Sequence, residues 1–348
     1  SRAQFGAKPQ GERLQQTQQS PNWRDGQFQN QSVTPQLTEG ASFLSVSKEF
    51  FFGDKSRRKP HGTLPSGKVG LHQLDAHADV LVWFGHSSYF IQVGGKKLLV
   101  DPVFSGNASP IKGTTRSFDG SDVYSADDIP ALDYLFITHD HWDHLDFSTV
   151  QKLRSKTGRI ITAAGVGAHL ERWGFDASKI TELDWYADTL LEGGLHVRAM
   201  PSRHFSGRGF KRNQSLWASF ILTAPDMKLY LGGDSGYDTH FAEIGSQFGP
   251  FDLAILECGQ YNKSWKHIHM MPEEVVQAAQ DLKSTKLLPV HWAKFSLSLH
   301  DWDEPIKRVT AEADRRGLPL LHPLIGELLD LREPAVQTKW WEGRNLQG

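Results

Sequence analysis

Leu132-Asp133-Tyr134-Leu135-Phe136-Ile137-Thr138-His139-Asp140-His141-Trp142-Asp143-His144 is an apolar run that ends in a cluster of metal-ligand residue types. Leu132 to Ile137 has the length and the aliphatic and aromatic content of a buried strand. Behind it, Asp146 can cap a helix that carries Val150 and Leu153 on one face and stops at Gly158. Three histidines and an aspartate therefore stand on a loop at the C-terminal end of a strand. In an extended loop His139 and His141 project to the same side, and Asp143 and His144 follow where the chain bends. Imidazoles beside a carboxylate are the donors that a borderline metal such as zinc prefers. One histidine in such a loop reads as an ordinary polar residue, but three with an aspartate in six residues predict a metal site.

Outward from this loop, the chain has 348 residues, room for one large domain or two, with 39% hydrophobic and 22% charged residues. The formal net charge of −2 gives no global field towards nucleic acid or anionic membrane. One cysteine, Cys258, excludes an intrachain disulfide and leaves the redox compartment open. No apolar run approaches the ~18 residues of a membrane span. The sequence opens at Ser1 without methionine, which fits removal of a leader or an anchor.

Residues 1–78 are set apart by composition. Gln10 to Gln36 is rich in Gln, Asn, Ser and Pro and predicts an extended strap or disorder. Phe50-Phe51-Phe52 is expected to pack on the main domain, with a lipid-facing patch beside Lys55, Arg57, Arg58 and Lys59 as the alternative. From Asp79 a meander begins, with strands at Val80–Phe84, Tyr89–Val93 and Lys96–Asp101, the last two joined by Gly94-Gly95. His86, between strands, reads as a hydrogen-bonded structural residue. Residues 105–131 form a long Gly-, Ser- and Asp-rich loop expected to border a site.

Beyond the histidine loop, strands and helices alternate up to a final strand pair near Leu318 to Leu331, and a polar, mobile tail follows from Arg332. A helix opens at Pro272-Glu273-Glu274, and another runs from Asp303 through Arg316 to Gly317. A meander followed by alternation suits two sheets face to face with helices outside. Lys228 to Asp234 and Phe251 to Cys258 faintly echo Leu98 to Phe104 and Leu132 to His144, a hint of duplication.

Three more strands end in a ligand type, at His204, Asp234 and His291. Strand ends on one edge of a sheet converge, so residues distant in sequence can share a site. His139, His141, Asp143, His144, His204, Asp234 and His291 are too many donors for one tetrahedral zinc. They suit two metals sharing a carboxylate, ~3.5–4 Å apart.

On His139-x-His141-x-Asp143-His144, His204, Asp234 and His291, taken in that order, the chain resembles the metallo-β-lactamase fold superfamily. Within it, the likeness is to N-acyl phosphatidylethanolamine phospholipase D and its bacterial relatives. It is carried by Gly85-His86-Ser87-Ser88, Asp101-Pro102-Val103-Phe104-Ser105, Pro201-Ser202-x-His204, Gly233-Asp234-Ser235-Gly236-Tyr237, Pro272-Glu273-Glu274 and His291-Trp292. The likeness runs from about Val82 to Leu331 and implies an α/β, four-layer αβ/βα sandwich, expected over residues 79–331, between the strap of residues 1–78 and the tail of residues 332–348 that composition sets apart. It also implies two zinc ions, with Mn or Fe admitted by the same donors. One would sit on His139, His141, His204 and Asp234, the other on Asp143, His144, Asp234 and His291. His269 is implied to reach the site from outside the ligand set. Met270-Met271 departs from the lipid enzyme, which has an acidic residue before the proline.

The implied reaction is phospholipase D-type hydrolysis of an N-acyl phosphatidylethanolamine-like phospholipid by a metal-bridging hydroxide, with Asp143, Asp234 and His269 as catalytic residues. Arg208, Lys211 and Arg212 are candidates to attract the phosphate, and Trp265 and Phe205 to line an acyl groove. The alternatives are a lactonase of the same superfamily acting on a sugar-phosphate or acyl lactone, and a non-catalytic metal-binding envelope protein. An apolar groove favours phospholipid, and a small polar pocket favours a lactone. Nucleic acid is not an expected partner, since no basic stripe is present. Peripheral membrane association and an envelope location are expected ahead of the cytoplasm.

Overall fold

Residues 2–347 are described by the structure, a computed structural model. The N-terminal stretch holds α1 (Gly11–Gln18), the short strands β1 (Trp23–Arg24) and β2 (Gln27–Phe28), and α2 (Phe43–Phe52). Then come β3 (Val80–Trp83), β4 (Tyr89–Val93), β5 (Lys96–Val100), β6 (Leu132–Ile137), α3 (Phe147–Leu153), β7 (Thr157–Ala163), α4 (Gly167–Arg172) and β8 (Ile180–Leu183). The second half runs β9 (Asp188–Leu190), β10 (His196–Met200), β11 (Ser219–Ala224), β12 (Met227–Leu231), α5 (His240–Phe248), β13 (Leu253–Glu257), α6 (Pro272–Asp281) and β14 (Leu287–Val290). The chain closes with α7 (Glu304–Arg316), β15 (Leu328–Asp330) and α8 (Arg344–Gln347).

Two mixed sheets result, in the orders β15-β3-β4-β5-β6-β7-β8 and β14-β13-β12-β11-β10-β9. They pack face to face through side chains such as Phe136 and Phe220, whose rings meet edge-on with centroids 5.4 Å apart. Strands β3, β4, β13 and β14 are buried along their whole length, which is why they read as unbroken apolar runs rather than alternating ones. The fold is the metallo-β-lactamase sandwich that the resemblance implied. The faint sequence echo has a topological counterpart. Strands β3 to β7 pair antiparallel, antiparallel, parallel, parallel, and β10 to β14 repeat that order.

Several local expectations are corrected. The helix after Asp146 ends at Leu153, and Gly158 belongs to β7. A Cβ there would press on the Asp133 carbonyl at 2.8 Å, so this glycine serves close approach of β7 to β6 rather than a helix stop. The expected final strand pair is the single strand β15, paired with β3. The strap is partly helical. The tail is docked rather than mobile, with Trp340 and Trp341 buried and Trp340 stacked on Trp292 at 5.2 Å. Polar composition hid the apolar area of two tryptophans. The Phe50-Phe51-Phe52 cluster does not pack into the core, because no residue of α2 is buried.

Candidate metal centre

Parallel strands that share an edge deliver their C-terminal residues to one place. In the first sheet, β5 leads to Asp101 and β6 leads to Thr138 and His139. In the second, β12, β13 and β14 lead to Asp234, Glu257 and His291. His139, His141, His204 and Asp234 offer ligand atoms within 4.8 Å of one another, and so do His86, Asp143, His144 and His291. Asp234 joins the two groups. Its Oδ2 lies 3.1 Å from His144 Nε2, 3.2 Å from His291 Nε2, 3.6 Å from His204 Nε2 and 3.7 Å from His139 Nε2.

The far side of each ring fixes which nitrogen faces the cluster. Thr138 Oγ1 donates to Asp101 Oδ2 at 2.6 Å and accepts from His139 Nδ1 at 2.9 Å. His144 Nδ1 donates to the same Asp101 oxygen at 2.8 Å. His204 Nδ1 donates to the Ile268 carbonyl at 2.8 Å, and His291 Nδ1 to the Gly259 carbonyl at 3.0 Å. Four Nε2 atoms are thereby aimed inward. His86, Asp101 and His291 all hold positive φ, a backbone cost borne at the site.

Whether the residues fit a cation is decided by atoms that lack any other partner. His141 Nε2, Asp234 Oδ1 and His86 Nδ1 are buried without a hydrogen bond. His141 Nδ1 lies 3.0 Å from His139 Nε2 and 3.2 Å from His204 Nε2, so neutral imidazoles turn lone pairs towards each other. A divalent cation shared by these three inward-facing nitrogens replaces that repulsion with ligation. Burial holds His139 and His204 well below the ordinary imidazole range and takes His141 down to about 4. These three rings are therefore neutral at pH 7, the form that ligates. For His144 and His291 burial acts in the same direction but loses to the carboxylates of Asp234 and Asp143, which lift His291 to about 10. A cation entering there displaces protons, which couples loading to proton release.

The remaining predicted residues divide. His269 lines the pocket beside the cluster, and its Nδ1 donates to buried Glu257 at 3.0 Å, which leaves Nε2 for the pocket. Phe205 and Trp265 line the same cavity, of about 290 Å³. Arg208 does not serve as a phosphate magnet. It is buried, donates to the carbonyls of Asp140, Leu145 and Gln4, and lies over the Trp142 ring at 4.0 Å. It thus clamps the histidine loop to the N-terminal stretch. Lys211 and Arg212 are outside the pocket lining, and Arg212 rests on Phe205. Residues 105–131 border a separate groove behind the histidine loop.

Three residues at the site escaped the sequence reading. His86 is hydrogen-bonded as expected, but its partner is Asp143, at 2.8 Å, which places it inside the cluster. Asp101 and Glu257 are strand-end carboxylates of the kind used to find Asp234. Glu257 is the last residue of β13, where a single carboxylate closing an apolar run carries no ligand pattern of its own.

The family description "Beta-lactamase superfamily domain" matches residues 96–292. An uncharacterised protein of Mycobacterium tuberculosis is 38% identical over 331 residues, 93% of this chain and 88% of that one. The N-acyl-phosphatidylethanolamine-hydrolyzing phospholipase D 1 of Caenorhabditis elegans is 28% identical over 277 residues, 71% of this chain and 76% of that one. A Klebsiella pneumoniae protein named outer membrane protein RomA is 60% identical over 97 residues, 28% of this chain and 74% of that one. Among solved structures, the metallo hydrolase Igni18 of Ignicoccus hospitalis aligns with a TM-score of 0.55 at 19% identity, covering 73% of this chain and 98% of its own.

Proposed function

The chain belongs to the β-lactamase superfamily of metal-dependent hydrolases, and on that premise we propose that it is a phospholipase D-type phosphodiesterase acting on N-acyl phosphatidylethanolamine-like phospholipids. The observation that carries this reading is the wall of the pocket. Leu37, Phe43, Val46, Phe205, Trp265 and Ile268 stand beside His141, Asp143, Asp234, His269 and His291. A charged phosphodiester is met by the donor cluster, and apolar chains by the wall. A sugar-phosphate lactone has no use for such a wall. The similarity to the N-acyl-phosphatidylethanolamine-hydrolyzing phospholipase D 1 of Caenorhabditis elegans supports the same class.

His139, His141, His204 and Asp234 would hold one zinc ion, and Asp143, His144, Asp234 and His291 a second. When bound, the ions supply Lewis-acid polarisation of phosphoryl oxygens and a water acidic enough to attack near neutral pH. The chain's own residues do the rest. His269, held through Nδ1 by Glu257, presents Nε2 to the phosphodiester. Asp143, fixed by His86 at 2.8 Å, would orient the attacking water. The apolar wall excludes bulk water and positions the phosphodiester. An envelope location accords with this substrate and with the name of the Klebsiella relative.

Metal content by mass spectrometry, paired with assays of phospholipid and lactone cleavage before and after chelation, tests the reading. The expected result is about two zinc ions per chain and chelator-sensitive release of phosphatidic acid. Lactone opening without phospholipid cleavage would overturn it.

A further inference from the structure

Helix α2 is tied by hydrogen bonds at its two ends, and none of its residues is buried. At its start, Ser42 and Ser45 cap each other's backbone amides at 3.0 Å. At its end, buried Arg58 donates to the carbonyls of Glu49 and Phe50, and the neighbouring Arg57 is tied to Asp301 and Asp303. Such caps fix a helix without core burial. The sequence between them is nevertheless apolar. Phe43 is 68% exposed, Leu44 81%, Phe50 47%, Phe51 68% and Phe52 85%. At 100° per residue, Val46, Phe50, Phe43, Phe51 and Leu44 fall on one continuous arc, interrupted only by the small Ser47. One edge of that arc, Phe43 and Val46, lines the pocket of the metal centre, and the other edge faces outward.

Charge identifies what covers the outward edge. Between Phe43 and Lys59 there are five basic and two acidic residues, in a chain whose net charge is −2. Lys48, Lys55 and Lys59 are exposed and form no ion pair among the described residues. A second copy of the chain would bring the same basic stretch against itself. An apolar arc flanked by unpaired lysines instead matches the acyl–headgroup boundary of an anionic bilayer. We infer that α2 docks the protein on anionic phospholipid membrane, with Leu44 and Phe51 inserted, the exposed Phe52 beside them at the C-terminal end of the helix past Lys48, and the pocket mouth at the bilayer surface. No helix of the described residues is long and apolar enough to cross a membrane, so the contact is peripheral. The docking does not depend on the reaction proposed above, because it requires neither metal nor turnover.

Co-sedimentation of the full chain with vesicles tests it, using phosphatidylcholine alone and phosphatidylcholine with phosphatidylglycerol. Binding to the anionic vesicles should weaken with salt. The double substitution Phe51→Glu and Phe52→Glu should reduce it about tenfold or more, with metal content and unfolding midpoint unchanged, since neither side chain is buried. Lys55→Gln with Lys59→Gln should reduce it about tenfold as well. Absence of binding to either vesicle would overturn the inference, as would binding that the Phe51/Phe52 variant leaves intact. A solution dimer that this variant dissolves, with no vesicle binding, would assign the face to a second copy instead.

Discussion

Asp101 sets two imidazoles at once. It holds His144 directly and His139 through Thr138, so one buried carboxylate decides the tautomer of two rings. Glu257 does the same for His269, and its Oε1 also accepts from the amides of Ser235 and Met270. A carboxylate on one ring nitrogen fixes the orientation of the ring and so the aim of the other nitrogen. His269→Ala should therefore lower kcat by about 10²- to 10⁴-fold while metal content stays the same. Glu257→Gln should lower kcat by about 10- to 100-fold with little change in KM. In the double variant the second substitution should add little, because both remove one device. Steady-state kinetics of the four proteins checks this, and additive losses would show that Glu257 acts elsewhere. The donors themselves were legible because each follows an apolar run. Their supporting carboxylates were not, since Asp101 and Glu257 contact rings brought near only by the packing of neighbouring parallel strands.

Helix α5 begins at His240, directly after the turn that follows Asp234. The ring is buried, with Nε2 3.3 Å from Ser235 Oγ, and burial pulls it from 6.5 down to about 4. A proton there is also disfavoured by the positive end of the helix dipole. The unfolded chain thus takes up this proton before the folded one. The contribution to stability is complete above about pH 6.5 and is lost as pH falls towards 4. Between pH 7.5 and pH 5 the loss is about 2 kcal/mol. Urea unfolding of the wild type and His240→Gln at both pH values should show the variant losing about 2 kcal/mol less. Equal losses would exclude His240 as the source. At this scale most elements were legible, because buried parallel strands leave unbroken apolar runs. What escaped was decided by tertiary contact. Gly158 reads as a helix stop but serves strand packing, and α2 reads as core but stands outside it, held by Arg58.

The two sheets repeat one pairing pattern, yet neither carries a complete site. The first supplies His139, His141, Asp143 and His144, and the second supplies His204, Asp234, His269 and His291. The donors therefore lie on the seam, where buried imidazoles and carboxylates from the two halves crowd together, and Asp234 Oδ1 there has no hydrogen-bond partner. A cation at that seam links the halves of the molecule, whereas its removal leaves a polar cluster between two apolar faces. Binding to the folded state alone adds about 4 kcal/mol when free metal exceeds Kd a thousandfold. For a chain of this size, that places the chelated protein about 5–10 °C lower in Tm. The loss should appear as one shifted transition, since the core is continuous across both sheets. Calorimetry with and without chelator, with metal removal verified by mass spectrometry, decides the matter. An unchanged midpoint would mean that the metal does not bridge the sheets, and two separated transitions would mean that the halves fold independently.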